Sequence, residues 1–379
     1  MAMQFIEVIS RLLQQIETVI IGKRDVVEMT AIGFLCGGHL LIEDIPGVGK
    51  TMLARSLARS VDLVFKRIQF TPDLLPSDIT GVSIYNQADG SFEFRHGPVF
   101  ANVVLADEIN RATPKSQAAL LEAMEEFQVT VDGVPHPLPK PFFVIATENP
   151  IEYEGTYSLP EAQLDRFLMR LRIGYPSPAD EVTILDRQML HHPIENVDPV
   201  VSAAEIGELQ RLVREVHVEQ SLKTYMVALS NASRSHEAVE LGASPRGSIA
   251  LLRCSQGVAA INGRGYVVPD DVKRVAEAAL AHRLILKPQR RLQGISAEHV
   301  VEELLKTVPV PVVQGAYQQH ADTSRRRTVP PVAPRFNKEY SWPSNARPCS
   351  GAVSSWPLSA SSCISTSSSR WRRPWPACR

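Results

Sequence analysis

Between a short apolar run, Leu40 to Ile42, and a helical stretch, Thr51 to Arg59, the chain carries Pro46-Gly47-Val48-Gly49-Lys50-Thr51, followed by Met52. Strand, glycine-rich turn and helix in that order leave few folds open. The glycines let successive backbone N–H groups turn toward one point, and the helix must begin there, so the point attracts a phosphate. Lys50 supplies charge to the β and γ oxygens, and the Thr51 hydroxyl is placed to ligate magnesium. The stretch follows the pattern GxxxxGK[ST] with one departure, Asp44 at the first glycine position. Because the cradle rests on the later glycines and Lys50, the expected nucleotide-binding residues are Asp44, Pro46, Gly47, Val48, Gly49, Lys50, Thr51 and Met52.

The rest of the chain extends this unit. Phe65 to Phe70, Val103 to Leu105 and Phe142 to Ala146 are further buried-strand candidates separated by enough chain for crossover helices, which predicts a mostly parallel sheet covered on both faces. Helical periodicity places an amphipathic helix at the start, over Phe5 to Ile16, and another from Asp25 to about Cys36. Two Asp-Gly turns, Asp89-Gly90 and Asp132-Gly133, predict hairpins over Gly81 to Phe94 and Val129 to Leu138. Thr113-Pro114 opens a helix running to Glu126. Beyond Tyr175 strand patterns give way to six helical stretches ending near Lys306, so a second, all-helical domain is expected. At 379 residues the chain has room for both and for extra segments.

After about Gln314 the composition changes to Ser, Pro and Arg without apolar periodicity, and all four tryptophans lie there. Nine Arg and one Lys against Asp322 and Glu339 give the stretch from Ala321 a charge of +8, leaving −9 for the rest of a chain whose total is −1. It reads as a disordered tail. A basic arm built on Arg370, Arg372 and Arg373 and an out-of-frame reading are the alternatives. The overall charge of −1 does not point to nucleic acid, the N-terminus lacks a basic signal region, and the most apolar window, Ala31 to Ile42, is too short to span a bilayer. Five cysteines without CxxC pairing fit reduced, cytoplasmic thiols.

Further chemistry follows the phosphate loop in order. Val103-Val104-Leu105-Ala106 ends in Asp107-Glu108: Asp107 is expected to hold the magnesium and Glu108 to polarise an attacking water. Asn149, in Thr147-Glu148-Asn149-Pro150, follows the last core strand and is positioned to orient that water. Arg166, in Leu164-Asp165-Arg166-Phe167, is expected as a finger donated to a neighbouring subunit, and Arg246, in Ser244-Pro245-Arg246-Gly247, as a sensor for the chain's own nucleotide. Competing constellations are poor. His191-His192 has no further ligand at metal spacing, Asp78-Ile79-Thr80-Gly81 lacks the strand and the NKxD of a GTPase, and no serine has a GxSxG setting.

Taken together, Gly47-Val48-Gly49-Lys50-Thr51, Asp107-Glu108, Asn149, Arg166 and Arg246 resemble an AAA+ ATPase. Gly38-His39-Leu40-Leu41-Ile42-Glu43-Asp44, Gln69-Phe70-Thr71-Pro72-Asp73-Leu74-Leu75-Pro76-Ser77-Asp78, Ala106 to Ala112 and Leu159 to Phe167 narrow the likeness to the MoxR family, over roughly the first 310 residues. That family is familiar with Asp at position 44 and more often has Gln where Glu148 stands. The resemblance implies an α/β fold with a P-loop AAA+ core, a parallel sheet flanked by helices and a β-hairpin insertion, followed by an all-helical lid. The expected limits are 1–175 for the core, 176–312 for the lid and 313–379 for the tail. It further implies a homo-oligomeric, hexameric ring that hydrolyses ATP with Mg2+ at subunit interfaces and remodels client protein complexes, often with a von Willebrand factor A domain partner. A magnesium-chelatase-type motor subunit, a DNA-associated motor and a non-hydrolysing nucleotide-binding scaffold are the other readings.

Overall fold

The computed structural model describes residues 2–88, 90–150, 156–189 and 192–311, with side chains from Phe5 onward. Asp89, His191 and everything after residue 311, including Cys349, Cys363, Cys378, the four tryptophans and the expected tail, lie outside the described residues. The elements in chain order are α1 (Ala2–Glu17), α2 (Arg24–Leu35), β1 (Leu40–Glu43), α3 (Lys50–Ser60), β2 (Phe65–Gln69), α4 (Pro76–Thr80), β3 (Gly81–Asn86), β4 (Ser91–His96), β5 (Val103–Asp107), α5 (Pro114–Glu126), β6 (Gln128–Val131), β7 (Val134–Pro137), β8 (Phe143–Glu148), α6 (Glu161–Leu164) and β9 (Met169–Leu171). There follow α7 (Pro178–Gln188), α8 (Ala203–Glu215), α9 (Gln220–Ser235), β10 (Val239–Leu241), α10 (Pro245–Ile261), α11 (Pro269–Leu280), β11 (Ile285–Leu286), α12 (Pro288–Leu292) and α13 (Ala297–Thr307).

Five parallel strands pair in the order β2-β5-β8-β1-β9, with Phe65 opposite Val103, Val103 opposite Phe143, and Leu40 between Ile145 and Met169. Alternate residues serve opposite faces. Leu40, Ile42, Val103, Leu105, Phe143 and Ile145 enter one core with α1, α2, α3 and the lid helices, while Leu41, Val104, Ala106, Val144 and Ala146 enter a second core with α5. A strand buried on both sides needs an unbroken apolar run, which is why β1, β5 and β8 read as they do. Phe34 of α2 meets Phe143 edge-on at 5.3 Å, a contact worth about 0.5–1.5 kcal/mol beyond its buried area.

Two features differ from the sequence reading. The sheet has a fifth strand, β9, whose Met169-Arg170-Leu171 alternates apolar and charged residues because it lies at the edge. The helical region also contains a short antiparallel ladder, β10 with β11. Both expected hairpins form, as β3 with β4 and β6 with β7. Phe94 of the first stacks on His136 of the second at 4.0 Å. The base of the β3–β4 hairpin requires glycine: Gly81 has φ 103°, and a Cβ there would collide with the Arg95 carbonyl oxygen and the Gly97 nitrogen. Thr113 occupies the N-cap position before Pro114, without a side-chain capping bond. Among the described residues no helix is long and apolar enough to cross a membrane.

Because the strands are parallel, the loops leaving β1, β5 and β8 emerge from one edge of the sheet. The segments entering β1 and β9 lie at the opposite edge. That separation organises the site.

Candidate active site

The phosphate loop leaves the C-terminal end of β1 and enters α3 at Lys50, with Gly49 as the N-cap residue at φ 95° and Gly47 at φ 86°. A Cβ at Gly47 would meet no atom, so the glycine requirement there is one of backbone conformation rather than of space. Pro46, Val48, Thr51 and Met52 lie in this loop and the first turn of α3, and the N-terminus of a helix is an end suited to an anion. The Lys50 ammonium reaches back across the loop to the Asp44 carbonyl and lies 3.4 Å from the Glu148 carbonyl.

Asp44 holds the base of the loop through its side chain. Its buried carboxylate accepts hydrogen bonds from the Ile173 and Gly174 N–H groups, each at 2.6 Å, and from Ile45 N–H at 2.8 Å. Its own N–H donates to the Glu148 carbonyl at 3.1 Å. A glycine there would leave those three donors without that acceptor. Asp44 thus braces the loop against the chain leaving β9.

At the end of β5, Asp107 and Glu108 diverge because Glu108 takes up a left-handed conformation, φ 56° and ψ 51°, a strain that tends to mark functional turns. Thr147 of β8 ties both together: its hydroxyl donates to Asp107 Oδ1 at 2.7 Å and accepts from the Glu108 N–H at 2.9 Å. Arg67 of β2 pairs with Asp107 Oδ2 at 2.5 Å and donates to Gln69 Oε1 at 2.6 Å. Gln69 in turn donates to Glu108 Oε2 at 2.7 Å, where Arg111 also donates at 2.9 Å. Asn149 is buried just beyond β8, beside these groups. Glu148 lies opposite Glu43 of β1, and burial, with that second carboxylate, lifts its pKa to about 7 against the opposing pull of Arg170.

The two arginines gather elsewhere. Arg166 pairs with one oxygen of Glu125 at 3.1 Å and Arg246 pairs with the other. They line a cleft of about 280 Å³ together with Gly38, His39, Asp165 and Leu168. His39 precedes β1 and Leu168 precedes β9, so this cleft opens at the N-terminal edge of the sheet, roughly 13 Å along a four-residue strand from the phosphate loop. Arg246, expected to sense its own chain's nucleotide, stands beside Arg166 on Glu125 in this cleft.

Several contributors were not picked out from sequence. Arg67 and Gln69 alternate along one face of β2, a period-2 signal that becomes informative only when β2 is known to lie beside β5. Glu125 ends α5 and carries no motif. The turn between α1 and α2 also reaches the site: Ile20 Cδ1 would lie 4.0 Å from a Cβ on Gly49, and Lys23 donates to the Tyr175 carbonyl at 2.7 Å. Among the described residues no three His, Cys, Asp or Glu side chains gather as a metal cage.

A phosphate loop and a paired Asp-Glu at one edge of a β2-β5-β8-β1-β9 parallel sheet, followed by a helical lid, define a P-loop ATPase of the AAA+ class. The family model for ATPases associated with various cellular activities matches residues 39–169, and the AAA lid domain model matches residues 231–304. The chain is similar to YeaC of Bacillus subtilis, 52% identical over 308 residues that span 81% of this chain and 96% of the relative. It is similar to chaperone MoxR1 of Mycobacterium tuberculosis, 41% identical over 86% of this chain and 87% of that protein. A crystal structure from Cytophaga hutchinsonii, assigned as an ATPase, superposes with a TM-score of 0.77 at 39% identity, covering 82% of this chain and 97% of that one. The chain belongs to the MoxR family of AAA+ ATPases.

Proposed function

We propose that this ATPase hydrolyses ATP at the interface between neighbouring copies of itself and uses the resulting motion to remodel partner protein complexes in the cytoplasm. One observation carries the reading: the loop with Asp107 and Glu108 lies at one edge of the sheet, and Arg166 with Arg246 at the other, which supports one chain contributing to two different sites.

In this mechanism the amides from Gly47 to Thr51 and the Lys50 ammonium bind the phosphates, and Asp44 keeps the loop in place from outside. Thr51 and Asp107 offer hard oxygen donors suited to Mg2+, which supplies charge neutralisation on the phosphates when bound. Glu108 accepts the proton of the attacking water, with Gln69 and Arg111 holding its carboxylate in position. Asn149 orients that water. A neighbour's Arg166 and Arg246 exchange Glu125 for the charge that grows on the transferring phosphoryl group. A nucleotide-binding core over 1–175 and a lid over 176–312, which contain the stretches 39–169 and 231–304 matched by the two family models, form the moving parts in this reading. The name of chaperone MoxR1 supports a remodelling role, and a hexameric ring with a von Willebrand factor A domain partner is the assembly this reading favours.

Steady-state turnover per subunit, measured against protein concentration, tests the interface. Turnover is expected to rise with concentration, and Glu108→Gln and Arg166→Ala are each expected to lower it by about 10²-fold or more while nucleotide binding survives. A rate per subunit that is independent of concentration down to the fully dissociated chain overturns the shared site.

A further inference from the structure

We propose that Arg283, acting through Asp165 and Ser244, is a positioning residue that sets Arg166 and Arg246 as a rigid pair for a neighbouring subunit's nucleotide. The proposal rests on the interface reading above. Arg283 follows α11 in the lid, and its side chain is only 3% exposed. Besides the Ala279 carbonyl and a contact of Nη1 with His282 Nε2 at 2.8 Å, its guanidinium is directed at the segment that carries Arg166. Nε donates to Asp165 Oδ1 at 2.8 Å, Nη2 to the Phe167 carbonyl at 2.6 Å and the Asp165 carbonyl at 3.3 Å, and Nη1 to the Leu168 carbonyl at 3.2 Å and to the Ala279 carbonyl. The acceptors therefore flank Arg166 on both sides. Only a planar five-donor group fits them together.

The other Asp165 oxygen accepts from the Ser244 hydroxyl at 2.8 Å, and that hydroxyl accepts the Arg246 N–H at 3.1 Å, capping α10. The line Arg283, Asp165, Ser244, Arg246 thus joins the finger loop of the core to the first turn of a lid helix. Arg246 then meets Arg166 again on Glu125. A buried ion pair is weak support for stability, since apolar groups of the same volume often serve as well. What this one supplies is a fixed backbone on either side of Arg166 and a fixed distance to Arg246, the preorganisation that charge stabilisation in a transition state needs. Movement of the lid would shift both arginines together.

Subunit mixing with the full-length chain separates this role from a general structural one. Arg283→Lys keeps the charge and removes the fork. As a homogeneous protein it is expected to turn over at least about tenfold more slowly than wild type, with nucleotide affinity at its own phosphate loop unchanged. Mixed with Glu108→Gln subunits, whose arginines are intact, it is expected to regain turnover; mixed with Arg166→Ala subunits it is expected not to. Should Arg283→Lys fail to fold, Ser244→Ala cuts the same line and is expected to show the same pattern. Wild-type turnover of Arg283→Lys, or no recovery with Glu108→Gln while Arg166→Ala recovers under the same mixing, overturns the positioning role. Failure of Arg166→Ala itself to recover with Glu108→Gln overturns the shared-site reading instead, and this proposal with it.

Discussion

Glu148 shows how one side chain can bind a site's stability to pH. It closes β8 opposite Glu43 of β1, and burial, with that second carboxylate and against the pull of Arg170 of β9, raises its pKa from an ordinary 4.5 to about 7. The folded protein therefore keeps a proton that the unfolded chain releases. Relative to a group that does not titrate, stability is intact below about pH 4.5, falls as pH rises through the window up to 7, and stays low above it. Glu148→Gln removes the titration while leaving the backbone carbonyl that receives Lys50 and Asp44. The substitution is expected to raise stability at pH 8 by about 1–3 kcal/mol, with the gain vanishing near pH 4.5. Urea melts at the two pH values check this, and an equal effect at both would show that Glu148 is ionised in the folded chain across the range. Asp44 teaches the complementary lesson. Its departure from the glycine pattern was visible in sequence, but the Ile173 and Gly174 amides that explain it are distant in the chain and become neighbours only once β9 pairs with β1.

At the scale of elements, what could be read from sequence tracks how each element meets its surroundings. β1, β5 and β8 are buried on both faces, so their unbroken apolar runs announced them, and the helices were announced by one-sided periodicity. β9 was not, since an edge strand of three residues with an arginine in the middle has no such run, and β10 and β11, of three and two residues, pair with each other across a long stretch of chain. The loop and the Asp-Glu pair were legible because their chemistry is local to a few residues. The Arg67 to Gln69 to Glu108 relay and the shared carboxylate at Glu125 were not, because each depends on which elements the fold brings together. The β3–β4 hairpin was legible from its turn, although its most demanding residue lies at the base. Gly81→Ala forces a side chain into φ 103° and into the Arg95 carbonyl and Gly97 nitrogen. It is expected to cost at least about 1–3 kcal/mol, seen as a lower urea midpoint. An unchanged midpoint would mean that the hairpin base opens without cost to the core.

For the whole molecule, the separation of the two edges supports the proposal that Arg166 and Arg246 serve a neighbouring subunit. A sensor acting on its own chain's nucleotide must touch the phosphates held by Lys50 and Thr51, and its loss weakens binding even in an isolated subunit. Arg246 lies instead beside Arg166 on Glu125, in the cleft at the N-terminal edge, with Ser244 and Asp165 fixing it there. Arg246→Ala is therefore expected to leave the affinity of the dissociated subunit for a fluorescent ATP analogue unchanged within about twofold, and to lower turnover of the assembled protein by about tenfold or more. The same variant is expected to share the complementation behaviour of Arg166→Ala: recovery with Glu108→Gln subunits, none with each other. Weakened nucleotide binding by dilute, dissociated Arg246→Ala would place the arginine on its own chain's site, and would require the lid to swing far from the arrangement that Arg283 and Asp165 hold. Conversely, unchanged binding with lost turnover means that each nucleotide is read by two arginines from one neighbour, so that a lid movement in one subunit changes catalysis in the next.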